Sequence, residues 1–177
     1  MDDEPAAAVT LGLLAAWAVH DAEEVAMMPR FTARVPELRA RNPYVPERVW
    51  RLLAGIDGRE FATAVGVMGG VVAAASAAGL CTGGRSGFYQ AALTGFGLHG
   101  VVHLAQAAAL RTYTPGVVTS GLVVIPFTLW ARSRLRRSGV ARPVRTADAL
   151  LGLAGAAAAT VGSHLVARRL LRSLERA

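Results

Sequence analysis

Long apolar runs separated by short, arginine-rich polar clusters dominate the chain. Five runs are long enough to cross a hydrocarbon core, which takes about 20 residues of helix. They lie at roughly residues 5–28, 61–80, 87–110, 115–131 and 147–168. Backbone amides in lipid must be satisfied within their own segment, so each run is expected as a helix. The fold class that follows is all-α: a multi-pass transmembrane helix bundle of about five spanning helices, forming one integral membrane domain over residues 1–177 and placed in the cell membrane.

Punctuation along the chain refines that outline. Pro5 suits the first turn of a helix behind the acidic Met1-Asp2-Asp3-Glu4 tail, and Pro29 is expected to end that helix by Met28. An acidic start is wrong for a secretory signal. The connection that follows carries Pro29, Pro36, Pro43 and Pro46 and is too polar for lipid. Within it, residues 46–56 put Val49, Trp50 and Leu53 on one face and Glu47, Arg48 and Arg51 on the other, the pattern of a short helix lying in the headgroup layer. Gly66 and Gly70, and Gly152 and Gly155, are expected where helices pack closely. Pro126 should kink the fourth span, Thr114-Pro115-Gly116 should form a tight turn, and Thr146 with Asp148 should cap the fifth helix.

Composition agrees with a membrane setting. Hydrophobic residues make up 53% of the 177-residue chain and charged residues 18%, with a mean hydropathy of +0.39. The net charge of +7 comes from 19 arginines and no lysine, gathered between the apolar runs; this favours lipid headgroups over nucleic acid. Cys81 is the lone cysteine, which excludes an internal disulfide, and it reads as a small apolar residue. Five crossings divide the arginines twelve to seven, favouring an outside N-terminus, although the arginine-rich stretch 132–145 opposes that orientation.

The four histidines all fall within or at the edge of expected spans. From His20, Glu23 and Glu24 stand at i+3 and i+4, one helical face. His99 and His103 are i, i+4 neighbours, and Gln106 continues their stripe; two imidazoles so spaced can hold one metal ion. Counted from the start of each span, His20, His99, His103 and His164 lie 15, 12, 16 and 17 residues in, on spans that run in the same direction. All four histidines and both glutamates are therefore expected in one layer. Ionisable groups at such depth cost about 2.5–3.5 kcal/mol each, so they should face inward and find partners.

Such a layer suits a divalent metal: zinc with three histidines and a carboxylate, or a dinuclear iron or manganese site bridged by Glu23 or Glu24. The expected ligands are His20, Glu23, Glu24, His99, His103 and His164, with one of Glu23 and Glu24 as general base. The function read from this is a metal-dependent membrane enzyme, hydrolytic or oxidative, acting on a lipid or other apolar small molecule. A proton or metal-ion carrier and a structural membrane protein with a hydrogen-bonded polar core are the alternatives. Arg111 to Gly116 lies on the same side as the site, where it can close its mouth or simply form a turn.

His20-Asp21-Ala22-Glu23-Glu24 resembles the motif of the HXXEE domain family of small integral membrane proteins. The His99 and His103 stripe, with Gln106 and then Tyr113-Thr114-Pro115-Gly116-Val117-Val118-Thr119, is similar to a later block of that family. The resemblance spans approximately residues 8–170. It implies a multi-pass membrane location and a shared polar motif, and it carries no activity; His164 rests on depth alone.

Overall fold

The structure is a computed structural model that describes residues 4–143 and 146–176. Helices α1 (Glu4–Ala33), α2 (Val35–Arg41), α3 (Glu47–Ala54), α4 (Gly58–Cys81) and α5 (Gly87–Leu110) are followed by a short helical turn, α6 (Val117–Thr119), a π-helical stretch (Ser120–Val124), α7 (Ile125–Arg137) and α8 (Thr146–Leu174). No strand occurs among the described residues, so the all-helical expectation holds. Among the described residues, two of the five expected crossings, α4 and α5, are helices long and apolar enough to cross a membrane. The acidic tail Met1 to Asp3 and the side chains of Thr146 and Asp148 lie outside the described set.

Local chemistry sets most boundaries. Asp57 Oδ1 accepts the Glu60 amide at 2.8 Å to cap α4, and Ser86 Oγ accepts the Tyr89 amide at 3.3 Å to cap α5. Pro29 does not end α1 at Met28, contrary to expectation; the helix runs on to Ala33. A proline inside a helix costs about 3 kcal/mol. Burial of Met28 and Phe31 against Val35, Leu38 and Trp50 offsets that cost, at about 1.5–3 kcal/mol for each large apolar side chain. The amphipathic helix expected over 46–56 forms as α3, and its Trp50 is only 2% exposed. Its apolar face is thus covered by α1 and α2 of the same chain.

The π-helical stretch sits directly before Pro126. Ile125 donates its amide to Ser120 O, five residues back. A proline ring at 126 would press on the preceding turn, and widening that turn gives it room. The fourth apolar segment thereby continues past residue 131 to Arg137.

One core joins α1, α5 and the 120–137 segment through Val9, Leu13, Tyr89, Leu93, Phe96, Val124 and Leu135. The Tyr89 hydroxyl donates to Val9 O at 2.7 Å. α4 lies antiparallel to α1, with the Trp17 ring over Gly69 and Thr10 at Gly79. A Cβ at Gly79 would stand 2.6 Å from the Tyr89 ring, so this glycine is where close packing is enforced. Of the glycines expected in that role, Gly152 lies against α5, its carbonyl 3.6 Å from a Cβ built at Gly95, but a Cβ added to Gly66, Gly70, Gly152 or Gly155 itself would meet nothing within 4 Å. On α8, small residues instead leave a cavity of about 820 Å³ bounded by α1, α4, α5 and α8, with Gly152, Gly155, Ala156 and Ala159 in its wall.

Candidate metal centre

His20 and Glu24 on α1 meet His99 and His103 on α5. The one-turn spacing within each pair puts both members on one helical face, and the α1–α5 core turns those faces toward each other. One ligand atom from each of the four residues lies within 4.8 Å of all the others, a group that could hold a metal ion. His103 Nε2 stands 2.9 Å from His99 Nε2 and 3.2 Å from Glu24 Oε1, and His20 Nε2 stands 4.0 Å from Glu24 Oε2. Ligand atoms at the edges of a tetrahedral zinc site stand about 3.3 Å apart, given bonds of about 2.0–2.1 Å. The observed separations bracket that value. His20 is fully buried, and Glu24 and His103 are nearly so.

The tautomer of His20 is fixed from outside the group. Thr119 donates its hydroxyl to Glu23 Oε2 at 2.6 Å, so Thr119 Oγ1 in turn accepts from His20 Nδ1, 2.9 Å away. With its proton on Nδ1, His20 carries a lone pair on Nε2. That nitrogen is buried and has no hydrogen-bond partner. Metal-binding histidines share this arrangement, in which the far ring nitrogen donates to an oxygen that orients the ring.

Glu23, expected as ligand, bridge or base, is engaged elsewhere. Its carboxylate accepts from the Tyr113 hydroxyl at 2.5 Å and from the Thr119 amide and hydroxyl at 2.8 and 2.6 Å, and it stands outside the four-residue group. Burial, reinforced by the Glu23 carboxylate it donates to, pushes the Tyr113 phenol above its ordinary pKa. The 111–116 turn does abut the site. Gly116 has φ +81°, and a Cβ there would lie 2.7 Å from His20 Cε1 and 3.1 Å from His103 Cε1.

His164 does not join the group, contrary to the depth argument. Its Nδ1 bonds Glu60 Oε1 of α4 at 2.8 Å, and Arg168 Nε donates to the other oxygen of Glu60 at 2.8 Å. Because Gly95 of α5 packs against Gly152 and Ala156 of α8, residue 158 is abreast of His99 and His164 is displaced along the axis by roughly 10 Å. His164 still borders the large cavity, as do His99, Glu24 and Asp21. Asp21 was read only as a letter of the motif; it is 8% exposed and makes no hydrogen bond or ion pair with the described residues. Neither Thr119 nor Glu60 is singled out by spacing: Thr119 lies in the Tyr113 to Thr119 block, which signals a turn but not a partner for His20.

No curated protein and no solved structure matches the chain. A family model does, over residues 11–131, a stretch that holds His20, Glu24, His99, His103 and the Tyr113 to Thr119 block but stops short of α8 and His164. The chain therefore belongs to the family described as proteins of unknown function with an HXXEE motif.

Proposed function

We propose that the chain is a multi-pass membrane protein that binds one divalent metal ion through His20, His99, His103 and Glu24 and uses it to act on a lipid or other apolar molecule in the adjoining cavity. The observation that carries the metal reading is the Glu23, Thr119, His20 relay, which leaves a buried imidazole lone pair aimed at another carboxylate and two more imidazoles. Three nitrogens and one carboxylate suit zinc, and also iron or manganese. Because Glu23 is engaged by Tyr113 and Thr119, one ion fits the site better than a bridged pair.

Membrane placement is supported by α4 and α5 and by large apolar side chains left in the open on the other helices, such as Leu122, Leu129 and Val161, each at least 60% exposed. A divalent ion held there would supply a Lewis acid, and zinc would lower the pKa of its bound water to about 7. Asp21 borders the same cavity beside Glu24, which supports it, in place of Glu23, as the residue that takes a proton there. An apolar chamber next to the site favours an enzyme over an ion carrier, which needs a polar path.

Metal analysis of detergent-purified protein tests the core of this reading. We expect about one equivalent of metal in the wild type and in His164→Ala, and a loss of most of it in His20→Ala and in His103→Ala. A metal-free wild type after growth with added zinc, iron and manganese in turn would leave a hydrogen-bonded polar core and refute the proposal.

A further inference from the structure

The cavity also carries polar side chains of the opposite charge. Asp21, Glu24 and His99 line one part of it; Arg132 and Arg142 line another, nearer the start of α5, and the rest of the wall is mostly apolar. Distances follow from α5, which runs the length of the chamber. Arg132 Nη1 donates to Thr94 Oγ1 at 2.8 Å, five residues before His99. The Arg142 guanidinium lies over Gly87, where a Cβ would be 2.7 Å from Nη1, twelve residues before His99. At about 1.5 Å per residue the two guanidinium anchor points sit roughly 7 and 18 Å from the level of His99.

The Arg132 guanidinium is held by Thr94, while at Arg142 it is the backbone that is held. Gln90, only 6% exposed, donates Nε2 to Gly84 O and Val140 O at 2.8 Å each and accepts the Arg142 amide on Oε1 at 2.7 Å, which fastens the 140–142 segment to α5. Neither guanidinium has a carboxylate partner among the described residues. Arg132 is half-buried, so its charge is poorly served by water. Guanidinium groups lining an apolar chamber match an anionic oxygen group, since their forks fit carboxylate and phosphate alike.

We infer that the arginine-lined part of this cavity is its head-group subsite, where the guanidinium of Arg132 or of Arg142 takes the carboxylate or phosphate of an amphiphile whose apolar chain lies along the chamber. The inference rests on the cavity's being the substrate chamber, and it names the substrate class: anionic, single-chain or double-chain lipids. It does not depend on a metal being bound.

Trp17 borders the chamber and provides the readout. Quenching of its fluorescence by chain-brominated lipids is measured in neutral detergent micelles, with Trp17→Phe giving the background from Trp50 and Trp130. A brominated fatty acid supplies the carboxylate arm, a brominated phosphatidic acid the phosphate arm, and a brominated monoacylglycerol the uncharged control. We expect at least one anionic lipid to bind at least about tenfold more tightly than the control. That preference should vanish in Arg132→Gln/Arg142→Gln, leave the control's affinity unchanged, and persist in His103→Ala. Stronger binding of one anionic arm identifies the head group. Equal binding of charged and uncharged lipids, or a preference that survives the double substitution, overturns the head-group subsite. Absence of saturable quenching by any of the three overturns the chamber reading itself. Metal content is read separately, so loss of the metal proposal leaves these outcomes interpretable.

Discussion

His20 Nδ1 stands 2.9 Å from the hydroxyl of Thr119, a residue 99 positions further along the chain, and that hydroxyl is already committed as a donor to Glu23. One proton can serve only one acceptor, so Thr119 receives from His20 and the ring presents Nε2 as a lone pair. Glu23 and Glu24, adjacent in sequence, thereby act on opposite nitrogens of one imidazole. Glu23 sets the tautomer through Thr119, and Glu24 faces the lone pair.

Thr119→Val removes that relay while keeping the shape of the side chain. We predict a 10- to 100-fold weaker metal affinity, the range seen when partners behind metal ligands are lost. Thr119→Ser should keep the affinity within a few-fold, because the hydroxyl is what matters. Competition with a chromophoric chelator measures both. Equal affinities for valine and serine variants would show that the hydroxyl has no part in holding His20.

Gly116 is constrained twice. Its φ of +81° costs a residue with a side chain about 1–2 kcal/mol, and the Cβ would lie 2.7 Å from His20 Cε1. Gly116→Ala is therefore predicted to lower stability by at least about 1 kcal/mol and to displace His20, so that metal is lost at temperatures where the helices persist. Circular dichroism melts paired with metal content check this. A variant that melts early yet keeps full metal binding would place the strain elsewhere.

The helical architecture and the heart of the site were readable from spacing alone. His20 with Glu24, and His99 with His103, are each one turn apart, so each pair faces one way whatever the tertiary structure, and a shared depth then brings the pairs together. His164 failed because counting from the start of a span assumes that every helix begins at the same level. α8 is 29 residues long and packs on α5 with Gly152 and Ala156 against Gly95, a register set by tertiary contact. Small residues permit close approach but do not compel it: Gly152 lies against Gly95 as expected, whereas Gly155 borders a chamber. The π-helical turn before Pro126 left a trace in the proline, while the partnership of Thr119 with Glu23 and His20 left none that periodicity can detect.

The Tyr113 phenol, held above its ordinary pKa of about 10 by burial and by the Glu23 carboxylate, gives a pH dependence of definite sign. A group whose pKa is raised in the folded state contributes stability that is complete below its unfolded value and fades as pH climbs toward the folded one. We predict that the wild type loses thermal stability more steeply than Tyr113→Phe as pH rises above 10, with the two curves parallel between pH 7 and 9. A phenylalanine variant with the same alkaline slope as the wild type would mean that Tyr113 ionises as freely folded as unfolded.

Glu60 separates the clamp on α8 from the chemistry of the metal centre. Its carboxylate receives His164 on one oxygen and Arg168 on the other, tying the last turns of α8 to the start of α4. The Glu60 side chain is 18% exposed and that of Arg168 53%, so solvent screens the pair and it holds the helices together only weakly. Glu60→Gln should lower stability only slightly but loosen α8, which hydrogen exchange at residues 164–174 would report as faster amide exchange. Metal content should stay at the wild-type level, because neither Glu60 nor His164 lies in the four-residue group. Loss of metal in Glu60→Gln, with His20→Ala also metal-free, would show that α8 bears on the site more directly than its contacts indicate, and would restore His164 as a participant.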